Sequence, residues 1–86
     1  MVKYKDLPPD VYQSIKRSLA GNFVLTHYPA FHDSMLDSFE IVSLDGKISV
    51  FYHLDGGLEI EGSDDNPAFR RIVKMVNGMV SKKDYI

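Results

Sequence analysis

Three histidines and one neighbouring carboxylate are the side chains of this sequence best suited to chemistry. His27 precedes the adjacent pair His32 and Asp33, and His53 follows in a later apolar segment. An imidazole beside a carboxylate suits proton transfer, and imidazoles on neighbouring strands suit metal binding. Adjacent residues on an extended chain point apart, however, and no Glu-x-x-His or His-x-x-x-His spacing is present. We therefore expect no catalytic residues, no metal site and no cofactor. A small metal-dependent enzyme using His27, His32 and His53 remains the second alternative.

The composition indicates one globular domain. The 86 residues are 44% hydrophobic and 26% charged, with a formal net charge of −2. The apolar runs are far shorter than the ~20 residues of a membrane helix. The absence of cysteine excludes disulfides and thiolate metal sites, and it suits a reducing compartment. We expect a single cytoplasmic domain over 1–86 that does not enter a membrane, with flexible ends at roughly 1–6 and 82–86.

Apolar residues at helical spacing predict two helices. The first covers 9–20, because Pro-Pro-Asp suits a first turn and the left-handed residues Gly21 and Asn22 suit a helix end. The second covers 67–81, with Asn66 as its N-cap.

The pair Asp45-Gly46 predicts a two-residue hairpin turn between strands 39–44 and 47–54. The register counted from this turn places Ile41 opposite Val50. Alternate residues then share one face, so the apolar positions of both strands point the same way.

Three further segments complete the sheet prediction. Asp55-Gly56-Gly57 predicts a three-residue loop with Gly57 in the left-handed position, which pairs Leu54 with Leu58. The β-branched and aromatic run 23–28 predicts a further strand, and 30–37 predicts a loop.

The predicted fold is an α+β two-layer sandwich in α-β-β-β-β-α order. An antiparallel meander of three to four strands carries both helices on one face. The predicted core comprises Val11, Ile15, Leu19, Phe23, Leu25, Phe39, Ile41, Ile48, Val50, Tyr52, Leu54, Leu58, Ile60, Phe69, Ile72, Val73 and Val76.

The charges divide between an acidic sheet and basic helices. Residues 23–66 hold nine acidic side chains and one basic, whereas residues 67–86 hold five basic and one acidic. Nucleic-acid binding through the helices is the first alternative function, using Lys16, Arg17, Arg70, Arg71 and Lys74. We do not expect nucleic acid as a partner, because Asp64 and Asp65 at the start of the last helix repel phosphate.

The sheet face turned away from the helices breaks the polar pattern of a solvated face, because it carries apolar residues. This predicts a small non-enzymatic protein-binding module, with a profile shared by small inhibitors that phages and mobile elements encode. It would be an adaptor or an inhibitor of a larger protein, and its partner would be another protein or a second copy. The predicted binding residues are Phe51, Val42, His53, Tyr28, Phe31, Glu40, Glu59 and Glu61.

Overall fold

The computed structural model describes residues 1–27 and 35–84, with side chains described as far as residue 80. Within these residues, two helices pack on one antiparallel sheet of five strands, which confirms the predicted α+β class. The strand order across the sheet is β1-β5-β4-β3-β2. In chain order the elements are β1 Val2–Tyr4, α1 Pro9–Asn22, β2 Leu25–His27, β3 Met35–Ser43, β4 Gly46–His53, β5 Leu58–Glu61 and α2 Pro67–Asp84.

Strand β1 lies in a segment for which the sequence predicted no element. Val2 pairs with Ile60 and Tyr4 with Leu58, so the two apolar residues of β1 extend the helix-side face of β5. Both pack against the core, and the Tyr4 hydroxyl donates to Asn77 Oδ1 on α2. A strand of three residues is too short for periodicity to reveal, and its pairing with β5 stabilises it here.

The β3–β4 register differs from the prediction by two residues. Ile41 pairs with Ile48 rather than Val50, because the chain reverses at Leu44 and Asp45 and Gly46 already belongs to β4. Gly46 takes the positive φ of the turn, at +133°. The Ser43 hydroxyl donates to the Gly46 carbonyl at 2.8 Å, which closes this shifted two-residue turn. A shift of two residues preserves every face, so the predicted inward and outward sides are correct.

The predicted β4–β5 register is also wrong by two residues. Leu58 pairs with Tyr52, and the loop is 54–56, with Gly56 rather than Gly57 at positive φ. The Gly56 carbonyl accepts a 2.9 Å hydrogen bond from the Leu7 amide, which fixes the loop against the segment leading into α1. Leu54 was predicted in the core, but it lies in this loop and is 61% exposed.

The observed ends of the helices and strands differ from the predicted ends, and some elements start or finish later than the sequence indicated. Helix α1 continues through Gly21 and Asn22, whose side-chain amide donates to the Ser18 carbonyl, so neither residue is a left-handed cap. Asn66 is the predicted N-cap of α2, with Oδ1 accepting from the Ala68 amide at 2.9 Å. Helix α2 extends to Asp84. Strand β2 begins at Leu25 rather than at Phe23, and β3 begins at Met35, inside the segment predicted as a loop.

The core fills the space between the sheet and the two helices. Both helices contribute their predicted apolar stripes, and Leu7 and Tyr12 join them. Phe23, Leu25 and Val73 pack at the edge of the core and are only partly buried. The fully enclosed aliphatic layer is formed by Ile15, Leu19, Ile41, Ile48, Val50, Leu58, Ile60, Ile72 and Val76.

We predict that alanine substitutions at two adjacent positions of β3 differ strongly in their effect on stability. Ile41 is completely buried, so Ile41→Ala should lower the free energy of unfolding by about 2–4 kcal/mol. Val42 is 67% exposed, and Val42→Ala should change it by less than about 1 kcal/mol. Urea denaturation followed by circular dichroism measures both values. Equal losses at the two positions would contradict the assignment of faces.

A second prediction distinguishes two glycines. A Cβ on Gly56 would lie 3.1 Å from the Leu7 backbone, and its φ is +89°. Gly56→Ala should therefore destabilise the fold by about 1–3 kcal/mol. Gly78 lies inside α2, where a Cβ meets nothing within 4 Å, so Gly78→Ala should stabilise by up to about 1 kcal/mol. Thermal melts of the two variants should move in opposite directions, and a lowered melting temperature for both would contradict this account.

Candidate functional site

The sheet face turned away from the helices is the first candidate, and we name it the outer face. The pairing registers place its residues in rows that run across the strands. Since side chains alternate along a strand, the apolar neighbours of these residues point into the core. Among the described strand residues, the outer face contains Lys3, Thr26, Met35, Ser38, Glu40, Val42, Lys47, Ser49, Phe51, His53, Glu59 and Glu61.

One end of the outer face is aliphatic and open to solvent. Val42 is 67% exposed, and Val24 is 83% exposed. Continuing the β2–β3 register by one residue from the pair Leu25 and Ile41 places Val24 opposite Val42. Leu44, in the adjoining turn, is fully exposed. We call Val24, Val42 and Leu44 the aliphatic end.

The opposite end of the outer face is more enclosed. Phe51 and His53 are half-buried, and Ser38, the ladder partner of Phe51, is buried. The Nε2 atom of His53 lies 3.4 Å from Oε1 of Glu59. Phe51 therefore faces outward as predicted, but it is less accessible than the aliphatic end. The predicted binding residues Tyr28 and Phe31 lie outside the described residues.

Polar side chains, most of them charged, occupy the middle of the outer face. Ser49 pairs with Glu40 on one side and with Glu61 on the other. Glu59 pairs with Lys3, which moderates the acidic character of that row. Lys47 pairs with Val42, beside the aliphatic end.

The histidines do not come together as the metal hypothesis requires. Strand β3 separates β2 from β4, so the strands of His27 and His53 are not neighbours. His27 pairs with Phe39 on the helix side, with ring centroids 5.7 Å apart, whereas His53 lies on the outer face. His32 lies outside the described residues. Within the described part of the chain, no three His, Cys, Asp or Glu side chains form a metal-binding group.

A polar cluster that the sequence analysis missed joins α1 to β3. The Tyr12 hydroxyl donates to Oδ2 of Asp37 at 2.5 Å, and Nζ of Lys16 donates to the same oxygen at 2.7 Å. A register irregularity between Met35 and Asp37 precedes the pairing of Asp37 with Tyr52 on the helix side. The available signal was the four-residue spacing of Tyr12 and Lys16, which places both on one side of α1.

The protonation states of this cluster indicate a structural role. Burial acts to raise the pKa of Asp37, but hydrogen bonds from Lys16 and Tyr12 outweigh it, and the pKa is lowered. Burial raises the pKa of Tyr12, and the hydrogen bond to the Asp37 carboxylate raises it further. At neutral pH the acid is therefore ionised and the phenol is protonated. Neither group is poised near neutrality for proton transfer, so the cluster anchors the helix.

The residues of the nucleic-acid alternative occupy two helices and make different contacts. Lys16 forms the ion pair with Asp37, and Arg17 donates to the Ser14 hydroxyl at 3.3 Å. On α2, Arg70 donates to the Asp64 carbonyl at 2.8 Å. The Arg71 guanidinium lies over the Phe23 ring, 5.7 Å from its centroid, and Lys74 is exposed.

Comparisons with protein-family models, with curated proteins and with solved structures found no match. Neither α1 nor the described length of α2 is both long and apolar enough to cross a membrane.

We predict that Asp37 makes stability depend on pH. Its folded-state pKa lies below the ordinary value of 3.8. The ionised Asp37 therefore contributes fully to the free energy of unfolding when the pH is above the ordinary pKa of 3.8. That contribution is lost as the pH falls through the folded-state pKa. Asp37→Asn should cost about 1.5–3 kcal/mol near neutral pH, and the difference from wild type should shrink below about pH 4. Asp45→Asn, in an exposed turn, is the control. Urea denaturation across pH measures both, and a constant deficit for Asp37→Asn would contradict the assignment.

Proposed function

We propose that this chain is a cytoplasmic, non-enzymatic protein-binding module, an adaptor or an inhibitor, that docks on another protein through the outer face. The observation that carries the proposal is the aliphatic end. Val24, Val42 and Leu44 are each at least two-thirds exposed and adjoin one another. Contiguous exposed apolar side chains are typical of contact surfaces, whereas a solvated strand normally presents polar residues at these positions.

The outer face fits a small interface. Its five strands contain 3, 3, 9, 8 and 4 residues, and at about 3.3 Å per residue and 4.8 Å between strands they cover roughly 430 Å². That area is about half of the ~800 Å² that each partner buries in a standard interface. Full burial of one Val or Leu side chain contributes about 1.5–3 kcal/mol, so the aliphatic end supplies an energetic centre.

The outer face as a whole holds more carboxylates than lysines, which favours a partner with basic groups around an apolar centre. Three glutamates, Glu40, Glu59 and Glu61, share the outer face with Lys3 and Lys47. Charges at the rim act mainly on the association rate. Added salt should therefore slow docking more than it weakens the apolar contact.

Our functional prediction uses one lysine substitution inside the aliphatic end and one outside it. Val42→Lys should reduce capture of the partner from source-cell lysate by at least about tenfold, because it places a charge in the apolar contact. Leu54→Lys is the matched control, since Leu54 is similarly exposed but lies beyond the other end of β4. Both variants should keep the wild-type melting temperature within a few degrees.

Quantitative mass spectrometry of the captured proteins measures the effect. Sedimentation of the purified chain shows whether the partner is a second copy, in which case Val42→Lys shifts the dimer to monomer. Equal capture by Val42→Lys and wild type, with an unchanged oligomeric state, would reject the outer face as the binding surface.

A further inference from the structure

A concave surface, separate from the outer face, lies on the helix side of the fold, between α1 and the edge strand β2. This cleft has a volume of about 410 Å³, within the ~300–1,000 Å³ of small-molecule sites. It is separate from the outer face, because Leu25 and His27 belong to the helix-side face of β2. The lining residues that matter here are Gln13, Lys16, Arg17, Phe23, Leu25 and His27.

The cleft carries excess positive charge. Lys16 is neutralised by Asp37, at 2.7 Å. Arg17 donates to a neutral hydroxyl, that of Ser14, so its charge is not cancelled by that contact. Arg71 lies over the Phe23 ring but lines the neighbouring groove with Ser18 and Lys74. Arg17 is therefore the uncompensated guanidinium of the cleft, and its planar fork suits phosphate oxygens.

The cleft also has an apolar part. Phe23 and Leu25 are only partly buried, and both line the cleft. The part of Phe23 that lines the cleft offers an apolar aromatic surface to a flat ring. The Gln13 amide and the His27 imidazole supply hydrogen-bonding groups at the same cleft. The lining therefore combines phosphate-binding groups with a surface for a planar ring.

We propose that this cleft binds a small anion made of a planar ring and a phosphate, of the nucleoside monophosphate class. Arg17 holds the phosphate and Phe23 contacts the ring. A single nucleotide suits the volume and the one uncompensated cation of the cleft better than a nucleic-acid strand does. A strand requires cations spaced along a track, and Asp64 and Asp65 precede the remaining basic residues on α2.

The test is a titration of the full chain with AMP, followed by amide NMR. The proposal expects saturable shifts at Arg17, Phe23, Leu25 and His27, with the aliphatic end unmoved. Arg17→Ala should weaken AMP binding about tenfold or more, as expected for loss of a charge-assisted contact. Lys47→Ala is the matched control, because it removes an exposed basic side chain from the outer face, and it should leave AMP affinity unchanged.

Two further probes separate the components of the ligand. Inorganic phosphate and adenosine should each bind at least about tenfold more weakly than AMP, because each lacks one contact. Equal binding of phosphate and AMP would overturn the ring assignment. Tighter binding of single-stranded oligothymidylate, with shifts spreading to Arg70 and Lys74, would replace the proposal with nucleic-acid binding. Absence of saturable shifts at millimolar AMP, or equal effects of Arg17→Ala and Lys47→Ala, would reject the cleft as a site. None of these results depends on the outer face.

Discussion

The stacking of Tyr12 on Tyr52 is the contact on which the rest of the structure depends. The two rings are nearly parallel, with centroids 4.1 Å apart, and they join α1 to the centre of the sheet. Each hydroxyl has an acceptor: Tyr12 donates to Asp37, and Tyr52 donates to the Leu7 carbonyl at 2.6 Å. Two large aromatic surfaces are therefore buried without leaving their polar ends unsatisfied. Because this contact sets the position of α1, it also sets the width of the space that α2 fills and the position of the cleft beside β2.

The two candidate surfaces follow from how this helix layer divides the sheet. Both helices lie on one side, so the strands bury one face and leave the other without secondary structure from the described part of the chain. An exposed sheet face is normally polar. The middle of the outer face follows that rule, because Glu40, Ser49 and Glu61 lie side by side on β3, β4 and β5. The aliphatic end departs from that rule at positions where nothing in the helix-side core requires an apolar residue. The basic cleft lies on the opposite side of the sheet, so the fold keeps an apolar and acidic surface apart from a cationic one.

Much of the architecture could be predicted from the sequence, and the errors have clear physical causes. Helical spacing identified both helices, and alternation identified which strand residues face inward, including Ile41 and the outward Val42. Alternation has a period of two, so it cannot distinguish registers that differ by two residues. Those registers depend on tertiary contacts: the Ser43 hydroxyl closes one turn, and the Gly56 carbonyl meets Leu7 at the other. For the candidate sites, alternation shows which face a residue lies on, but not how far its side chain is buried or what it contacts. Phe51 was correctly placed on the outer face, but its partial burial and the pairing of Lys16 with Asp37 depend on the assembled fold.

The position of β1 has a consequence for how the chain reaches this structure. The edge strand formed by residues 2–4 pairs with β5, so Val2 finds its ladder partner only at Ile60. During synthesis at about 5–20 residues per second, the first strand waits roughly 3–12 seconds before its partner is made. The local hairpins β3–β4 and β4–β5 join strands with short connections and can form earlier, whereas closing the sheet with β1 must overcome the entropy of a long loop. We therefore expect β1 to join the sheet after these local hairpins have formed.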